Sequence, residues 1–353
     1  MSILITGHTG FKGFTLGALL SSRGLKVHGF SDAFRPNSLY GRALKEDKIF
    51  ESEFVGKIES FNEIDDCLAL LQPKVIFHLA AQPIVSLASE NPMTAFQTNT
   101  IGTGNLLESC RKRQLKTRIV IITTDKVYAD HGNLPHKEED HLSSKEPYGA
   151  SKVGAELISE SFRVIPNCEN MQWATARAGN IVGFGDDGVN RLLPDLLTAK
   201  LDNKVPKLRS PGATRPWTYI LDALMGYIEL SNYLKSPLGA KSFNFGPSTT
   251  ESVTVLEIAR MVLGPNISSE LGAENFFEQE NLLLDSTMAK SILNWNPLFD
   301  SREAIMETIA VSSLHNSLES SVIQTLNFGF DRYFDKADND KIKMVNQFDG
   351  LRV

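Results

Sequence analysis

The chain has 353 residues, 42% of them hydrophobic, enough to bury a full core and to make about two domains. Its net charge of -6 argues against a protein that binds polyanions, which calls for a basic face, so no nucleic-acid partner is expected. Cys67, Cys110 and Cys168 lie far apart in no CxxC pattern, and no window approaches the roughly 20 apolar residues of a membrane span; a soluble, cytoplasmic chain is expected.

The first strand signal, "ILIT" (3–6), runs directly into "GHTGFKG". Gly7, Gly10 and Gly13 thus stand between a strand and an opening helix, the setting in which a glycine loop binds a dinucleotide. Gly7 permits the tight turn, Gly10 lets the backbone approach a pyrophosphate, and Gly13 lets the helix pack close to the sheet. Phe11 lies within the same cofactor loop, and Lys12 is either a phosphate neighbour or a surface lysine.

A helix signal, "FTLGALLSSRG", and a second strand, "KVHGF" (26–30), follow. Asp32 stands where an acid would hold the adenosine ribose and favour NAD. Ser31 is the alternative at that place, and Arg35 could meet a 2′-phosphate. Beyond the helical "FNEIDDCLALL" comes the strand "KVIFHLA" (74–80). There the small Ala80 and Ala81 would let a cofactor lie against the backbone, whereas His78 is read as a core hydrogen-bonding group. Asn99 falls inside the next helix, "MTAFQTNTIGTGNLLESCRKR".

The strand "RIVIIT" (118–123) ends in Thr124, Asp125 and Lys126, an acid beside a base at the tip of an apolar run. The following helix, about 148–162, carries Tyr148 and Lys152 at i and i+4, which puts both on one face. A neighbouring ammonium and an oxidised nicotinamide are expected to favour the Tyr148 phenolate, which can take a proton from a substrate hydroxyl. Thr124 can hydrogen-bond the same hydroxyl. Asp125 and Lys126 are more than alcohol oxidation needs and suggest a second, eliminating step.

A strand at 173–183, a Gly-, Asp-, Pro- and Arg-rich stretch at 184–216, a helix at 219–234 and a strand at 242–247 complete the pattern. The alternation predicts an α/β fold: a Rossmann-like doubly wound parallel sheet with a smaller C-terminal substrate-binding domain. The boundaries read as 1–183 and 217–248 for the NAD-binding domain, and 184–216 and 249–310 for the substrate domain. A tail, 311–353, has no clear period. Its "DKADND" run (335–340) is a solvated acidic segment and not a calcium loop, because Asp340 stands where such a loop requires glycine. No metal site is expected.

The glycine loop together with "HLAAQP" (78–83), "TTDKVY" (123–128), "YGASK" (148–152), "ATARAGNIVG" (174–183), "RLLPDLL" (191–197) and "PGATRPW" (211–217) resembles the nucleotide-sugar 4,6-dehydratase group of extended short-chain dehydrogenases/reductases. The resemblance runs over roughly residues 1–300, and within the group it points to members acting on CDP-glucose. It implies NAD held also by Tyr148 and Lys152, and CDP-glucose or a related nucleotide sugar as partner. Asp125 would protonate the departing C6 hydroxyl, and Lys126, its pKa depressed by burial, would be the base at C5. Gln82, Asn180, Arg191 and Arg215 would bind the substrate. The resemblance further implies a homodimer or homotetramer joined through helices near 93–112 and 148–162, and a product that feeds deoxysugars of surface polysaccharides such as lipopolysaccharide O-antigen. A sugar 4-epimerase, a 4,6-dehydratase for another nucleoside-diphosphate hexose, and a catalytically idle NAD(P)-binding regulator are the alternatives.

Overall fold

The computed structural model describes residues 2–32, 38–130, 132, 134–188, 190–208, 210–236, 241–247, 253–267, 270–271, 282–318 and 320–337. Arg35 and part of the 335–340 run lie outside them.

Strands β1 (Ser2–Thr6), β2 (Lys26–Ser31), β3 (Ser52–Val55), β4 (Val75–His78), β5 (Thr117–Ile122) and β6 (Met171–Ala178) belong to one sheet. After the short strands β7 (Asn180–Val182), β8 (Lys207–Leu208), β9 (Thr214–Arg215) and β10 (Trp217–Tyr219), strand β11 (Ser242–Phe245) completes it. The seven strands are parallel, in the order β11-β6-β5-β4-β1-β2-β3. The order reverses between β1 and β4, and in such sheets ligands bind beyond the strands' carboxyl ends at that switch.

Covering both faces makes the inner strands apolar throughout. Ile3 and Ile5 of β1 face one core with Val120 and Ile122 of β5, while Leu4, Ile119 and Ile121 face the other. The first core is covered by α1 (Phe11–Ser22), α2 (Leu39–Glu46) and, further along the chain, α9 (Ile220–Tyr233). The second is covered by α3 (Phe61–Leu71) and by the run that begins with α4 (Val85–Glu90) and α5 (Pro92–Phe96) and passes through a π turn (Gln97–Ile101) into α6 (Gly102–Lys112). Helix α7 (Pro147–Ser161) lies beside α6.

Two departures from the sequence reading bear on the site. The run 173–183 is not one strand: the chain leaves the sheet at Gly179, and β7 pairs instead with β10, which sets Asn180 beside Trp217. Strand β3 has no counterpart in the sequence reading, since four residues alternating half-buried and exposed at a sheet edge give little signal.

Segments 184–216 and 253–271 meet through α8 (Leu192–Asp202) against α10 (Val255–Leu263), through β9 against β12 (Val253–Thr254), and through β8 against β13 (Glu270–Leu271). Within the tail that shows no clear period, residues 311–318 and 322–336 are helical. After α11 (Thr287–Leu293), α12 (Ser301–Leu318) and α13 (Val322–Lys336) follow, and α13 packs on α1 and α2. Its Tyr333 hydroxyl donates to the fully buried Asp222 of α9 at 2.8 Å. Among the described residues no helix is long and apolar enough to cross a membrane, and no cluster suits a metal ion.

Candidate active site

Above the carboxyl ends of β5 and β6 lies a cleft of about 330 Å³. Phe11 and Lys12 of α1 line it from one side, Thr124, Asp125, Lys126 and Tyr148 from beneath, and Asn180, Asp186, Arg191 and Arg215 from the far side.

The glycine loop is shaped for a close-lying group. Gly7 has φ +73°, and a Cβ there would sit 2.7 Å from the amide nitrogen of Ala80. A Cβ on Gly13 would collide with the carbonyl of Gly7, so loop and helix touch backbone to backbone. Helix α1 begins after Gly10 with no side-chain cap, which leaves first-turn N–H groups for an anion. These features fit a dinucleotide. Ala80 and Ala81 are half-buried beside this turn, Ser31 bonds Thr9 through its hydroxyl at 2.7 Å, and Asp32 is exposed at the end of β2.

Helix α7 starts where Glu146 accepts from the amides of Tyr148 and Gly149 and Pro147 needs no donor. Tyr148 is 9% exposed and Lys152 5%. The Lys152 ammonium donates to the carbonyl of Ile122 at 2.9 Å, and burial, followed by the charge of Lys12, pulls its pKa down to about 7. The expected phenolate at Tyr148 is not favoured by the protein groups alone. Burial raises its pKa well above the usual value, Asp125 and Glu146 add to this, and the hydrogen bond with Thr124 and the charge of Arg191 oppose it. Burial is the dominant cause, and the Lys152 ammonium donates to the β5 backbone at Ile122.

Thr124 donates to Asp125 Oδ1 at 3.0 Å. Asp125 is 1% exposed, and its Oδ2 has no hydrogen-bond partner among the described residues. That oxygen lies over Gly179, where a Cβ would come within 3.0 Å of it. A buried carboxylate oxygen left open at a cleft is a costly arrangement unless something meets it there. Lys126, next in the chain, is half-buried and lines the same cleft.

His78 is a structural group, as its place in the strand suggested. Thr103 gives its proton to Asn99 O at 2.7 Å, so His78 Nε2 donates to Thr103 and Nδ1 accepts from Thr6. Burial, then the charge of Lys152, lowers its pKa to about 3, which keeps it neutral. Asn99 sits in the π turn, a feature common at functional sites, and its amide donates to Ser151 of α7 at 2.8 Å and to Gln82 O at 3.1 Å. Gln82 turns its side-chain oxygen back to the amide of Ile84 and is not among the cleft's lining residues.

On the far side Arg191 pairs with Asp186 through contacts of 2.8 and 2.9 Å. Lys12 belongs to this group and is no ordinary surface lysine: burial, then Arg191, lowers its pKa to about 8. Arg215 is 6% exposed in β9. Two charged residues went unremarked in the sequence reading, Glu156 and Arg177, which pair in the core behind α7 at 2.9 Å. An arginine in the otherwise apolar "WATARAG", and an acid one turn beyond Lys152, were the available signals.

A family model described as GDP-mannose 4,6 dehydratase matches residues 4–308. A CDP-glucose 4,6-dehydratase of Salmonella typhimurium is 34% identical over 86% of this chain and 88% of its own length. A UDP-glucose 4-epimerase of Halalkalibacterium halodurans is 23% identical over 87% of this chain and 94% of its own length. Among solved structures, the dTDP-glucose 4,6-dehydratase of Bacillus anthracis in complex with NAD superposes with a TM-score of 0.73 at 22% identity, covering 90% of this chain and 97% of that one.

Proposed function

The chain belongs to the GDP-mannose 4,6-dehydratase family, and on that premise we propose that it is an NAD-dependent nucleotide-sugar 4,6-dehydratase acting on CDP-glucose. The observation that carries the reaction is the Asp125–Lys126 pair in one cleft with Tyr148, the Asp125 carboxylate holding one buried, open oxygen. The choice of CDP-glucose leans on the 34% identity to the Salmonella typhimurium protein.

Gly7, Gly10, Phe11, Gly13, Ala80 and Ala81 form the bed for NAD, with Asp32 towards the adenosine and Tyr148 and Lys152 towards the nicotinamide. NAD, when bound, supplies an acceptor for hydride from C4 of the sugar and a donor of hydride to C6. Tyr148 takes the proton of the C4 hydroxyl, and Thr124 orients that hydroxyl. With C4 a ketone the C5 hydrogen is acidic, and Lys126 removes it while Asp125 protonates the C6 oxygen, which leaves as water. A proton returned to C5 from Lys126 completes a 4-keto-6-deoxy sugar, the net change being the loss of one water. Asn180, Arg191 and Arg215 hold the diphosphate and nucleoside, arginine's planar fork suiting phosphate oxygens. Gln82 is left out of the substrate contacts, because its side chain accepts from Ile84 and its backbone bonds Asn99.

The protein works as a homodimer or homotetramer. Met93 (67% exposed), Ile101 (50%) and Leu157 (62%) show apolar surface on the helices that flank the site. It is cytoplasmic, where the free, buried Cys67, Cys110 and Cys168 stay reduced.

Purified protein incubated separately with CDP-, dTDP-, UDP- and GDP-hexoses tests this reading by mass. Loss of one water from CDP-glucose is the expected result. Loss from another donor alone overturns the nucleotide, and epimer formation without water loss replaces the reaction with 4-epimerisation.

A further inference from the structure

Glu156 and Arg177 meet in the core between α7 and the sheet, each with no more than 5% of its surface exposed. Both carboxylate oxygens of Glu156 are saturated. Oε1 accepts from Thr123 at 2.5 Å and from Arg177 Nε at 3.0 Å; Oε2 accepts from Thr175 at 2.8 Å and from Arg177 Nη2 at 2.9 Å.

All five N–H donors of Arg177 are used as well. Beyond Glu156 they reach the Tyr128 hydroxyl at 2.9 Å, the Glu138 carbonyl at 2.8 Å and the Ser242 hydroxyl at 3.2 Å. Tyr128 in turn donates to Asn244 of β11 at 2.7 Å. One ion pair therefore ties α7 to β5, β6, β11 and the segment after Lys126. Thr123 is the residue before Thr124, and Glu156 is one helical turn beyond Lys152 and two beyond Tyr148.

We propose that Glu156 and Arg177 are positioning residues, which set Tyr148 and Lys152 of α7 against Thr124 and Asp125 at the end of β5 and balance the charge behind Lys152. A buried pair like this is weak support for stability, since apolar residues of similar volume often serve as well or better; a registry role explains its presence. Neither residue touches the cleft, so both act through the groups they hold.

The charged and titratable groups that act on or are acted on by Lys152 are Glu156 on α7, Lys12 on α1 and His78 on β4, and Arg177 on β6 pairs with Glu156. Glu156 is the acid that raises the Lys152 pKa against burial and Lys12. Removing its charge makes Lys152 give up its proton at lower pH.

The inference rests on the dehydratase reading only for its assay. Glu156→Gln keeps the side chain's shape and removes its charge. The expected result is kcat reduced tenfold or more, KM for CDP-glucose within threefold, and the alkaline limb of the kcat profile moved to lower pH. Arg177→Lys keeps the charge without the fork and should lower kcat with that limb unmoved. A Glu156→Gln enzyme with kcat within twofold of wild type, or with kcat lowered and the limb unmoved, overturns the proposal.

If Glu156→Gln does not fold, Glu156→Gln/Arg177→Met removes the unpaired charge. Restoration of wild-type kcat in that protein overturns the proposal, and a tenfold loss supports it. If wild type dehydrates no donor, the reaction assigned above fails by itself. The pair is then tested by NAD affinity across the same pH range, where an earlier alkaline loss in Glu156→Gln supports it and superimposed curves overturn it.

Discussion

The Lys152 ammonium donates to the carbonyl of Ile122 at 2.9 Å, so the charged end of α7 is anchored to the strand that delivers Thr124 and Asp125. Burial with Lys12 close by lowers its pKa to about 7, whereas an unfolded chain keeps that proton to about 10.5. Between those values the unfolded state binds more protons, so this group destabilises the fold fully below pH 7, and the penalty fades as pH rises towards 10.5. Lys152→Met should therefore be more stable than the cofactor-free wild type at pH 7. The gap should close by on the order of 1 kcal/mol per pH unit above that. Denaturant melts at pH 7 and 9.5 check this; a gap independent of pH counts against it.

Asp125 and Lys126 should separate the reaction's stages. Asp125→Asn is expected to oxidise C4 but eliminate water at least ~100-fold more slowly, leaving bound cofactor reduced. Stopped-flow absorbance of the reduced nicotinamide reads this directly. Lys126→Ala should abolish exchange of the C5 hydrogen with deuterated solvent, and exchange at the wild-type rate would remove Lys126 from that role.

Gly7→Ala puts a methyl group 2.7 Å from the Ala80 amide at a φ of +73°. The expected cost is about 1–3 kcal/mol of stability, together with loss of NAD affinity, because the loop must open to accommodate it. Calorimetric titration with NAD and a thermal melt on the same sample distinguish strain from a merely weakened site.

Arg215→Ala should raise KM for the nucleotide sugar roughly 10- to 100-fold with kcat changed much less, as expected for a charge-assisted contact to a non-reacting diphosphate. Steady-state kinetics decide it. A fall in kcat at unchanged KM would place Arg215 in the chemistry instead.

Tyr333→Phe removes the donor to buried Asp222, which also accepts from the amides of Leu298 and Phe299. A cost of about 1–3 kcal/mol is expected, with faster amide exchange confined to α13 and its contacts on α1. Uniform loosening of the whole sheet would show that α13 is not a separate clamp.

What local pattern could convey, the chain conveyed. β1, β2, β4 and β5 are read to within two residues of their ends, because a strand covered on both faces must be apolar throughout. Helix α7 is found at 147–161 against the 148–162 read from its pattern. Edge strand β3, the break at Gly179 and helices α12 and α13 were not legible. Their partners are remote: α13 leans on α1, some 300 residues earlier, and β7 on β10.

The parallel sheet is legible in the alternation of apolar strands and helices along the chain, and the glycine loop and the Tyr148/Lys152 and Asp125/Lys126 pairs are legible in close neighbours. It takes the folded arrangement to bring Lys152 to Ile122, to leave Asp125 an open oxygen above Gly179, and to bury Glu156 against Arg177. Burial and charge pairing depend on which distant segments the sheet order brings together. That same environment shifts the pKa of Lys12, Tyr148 and Lys152 away from their ordinary values.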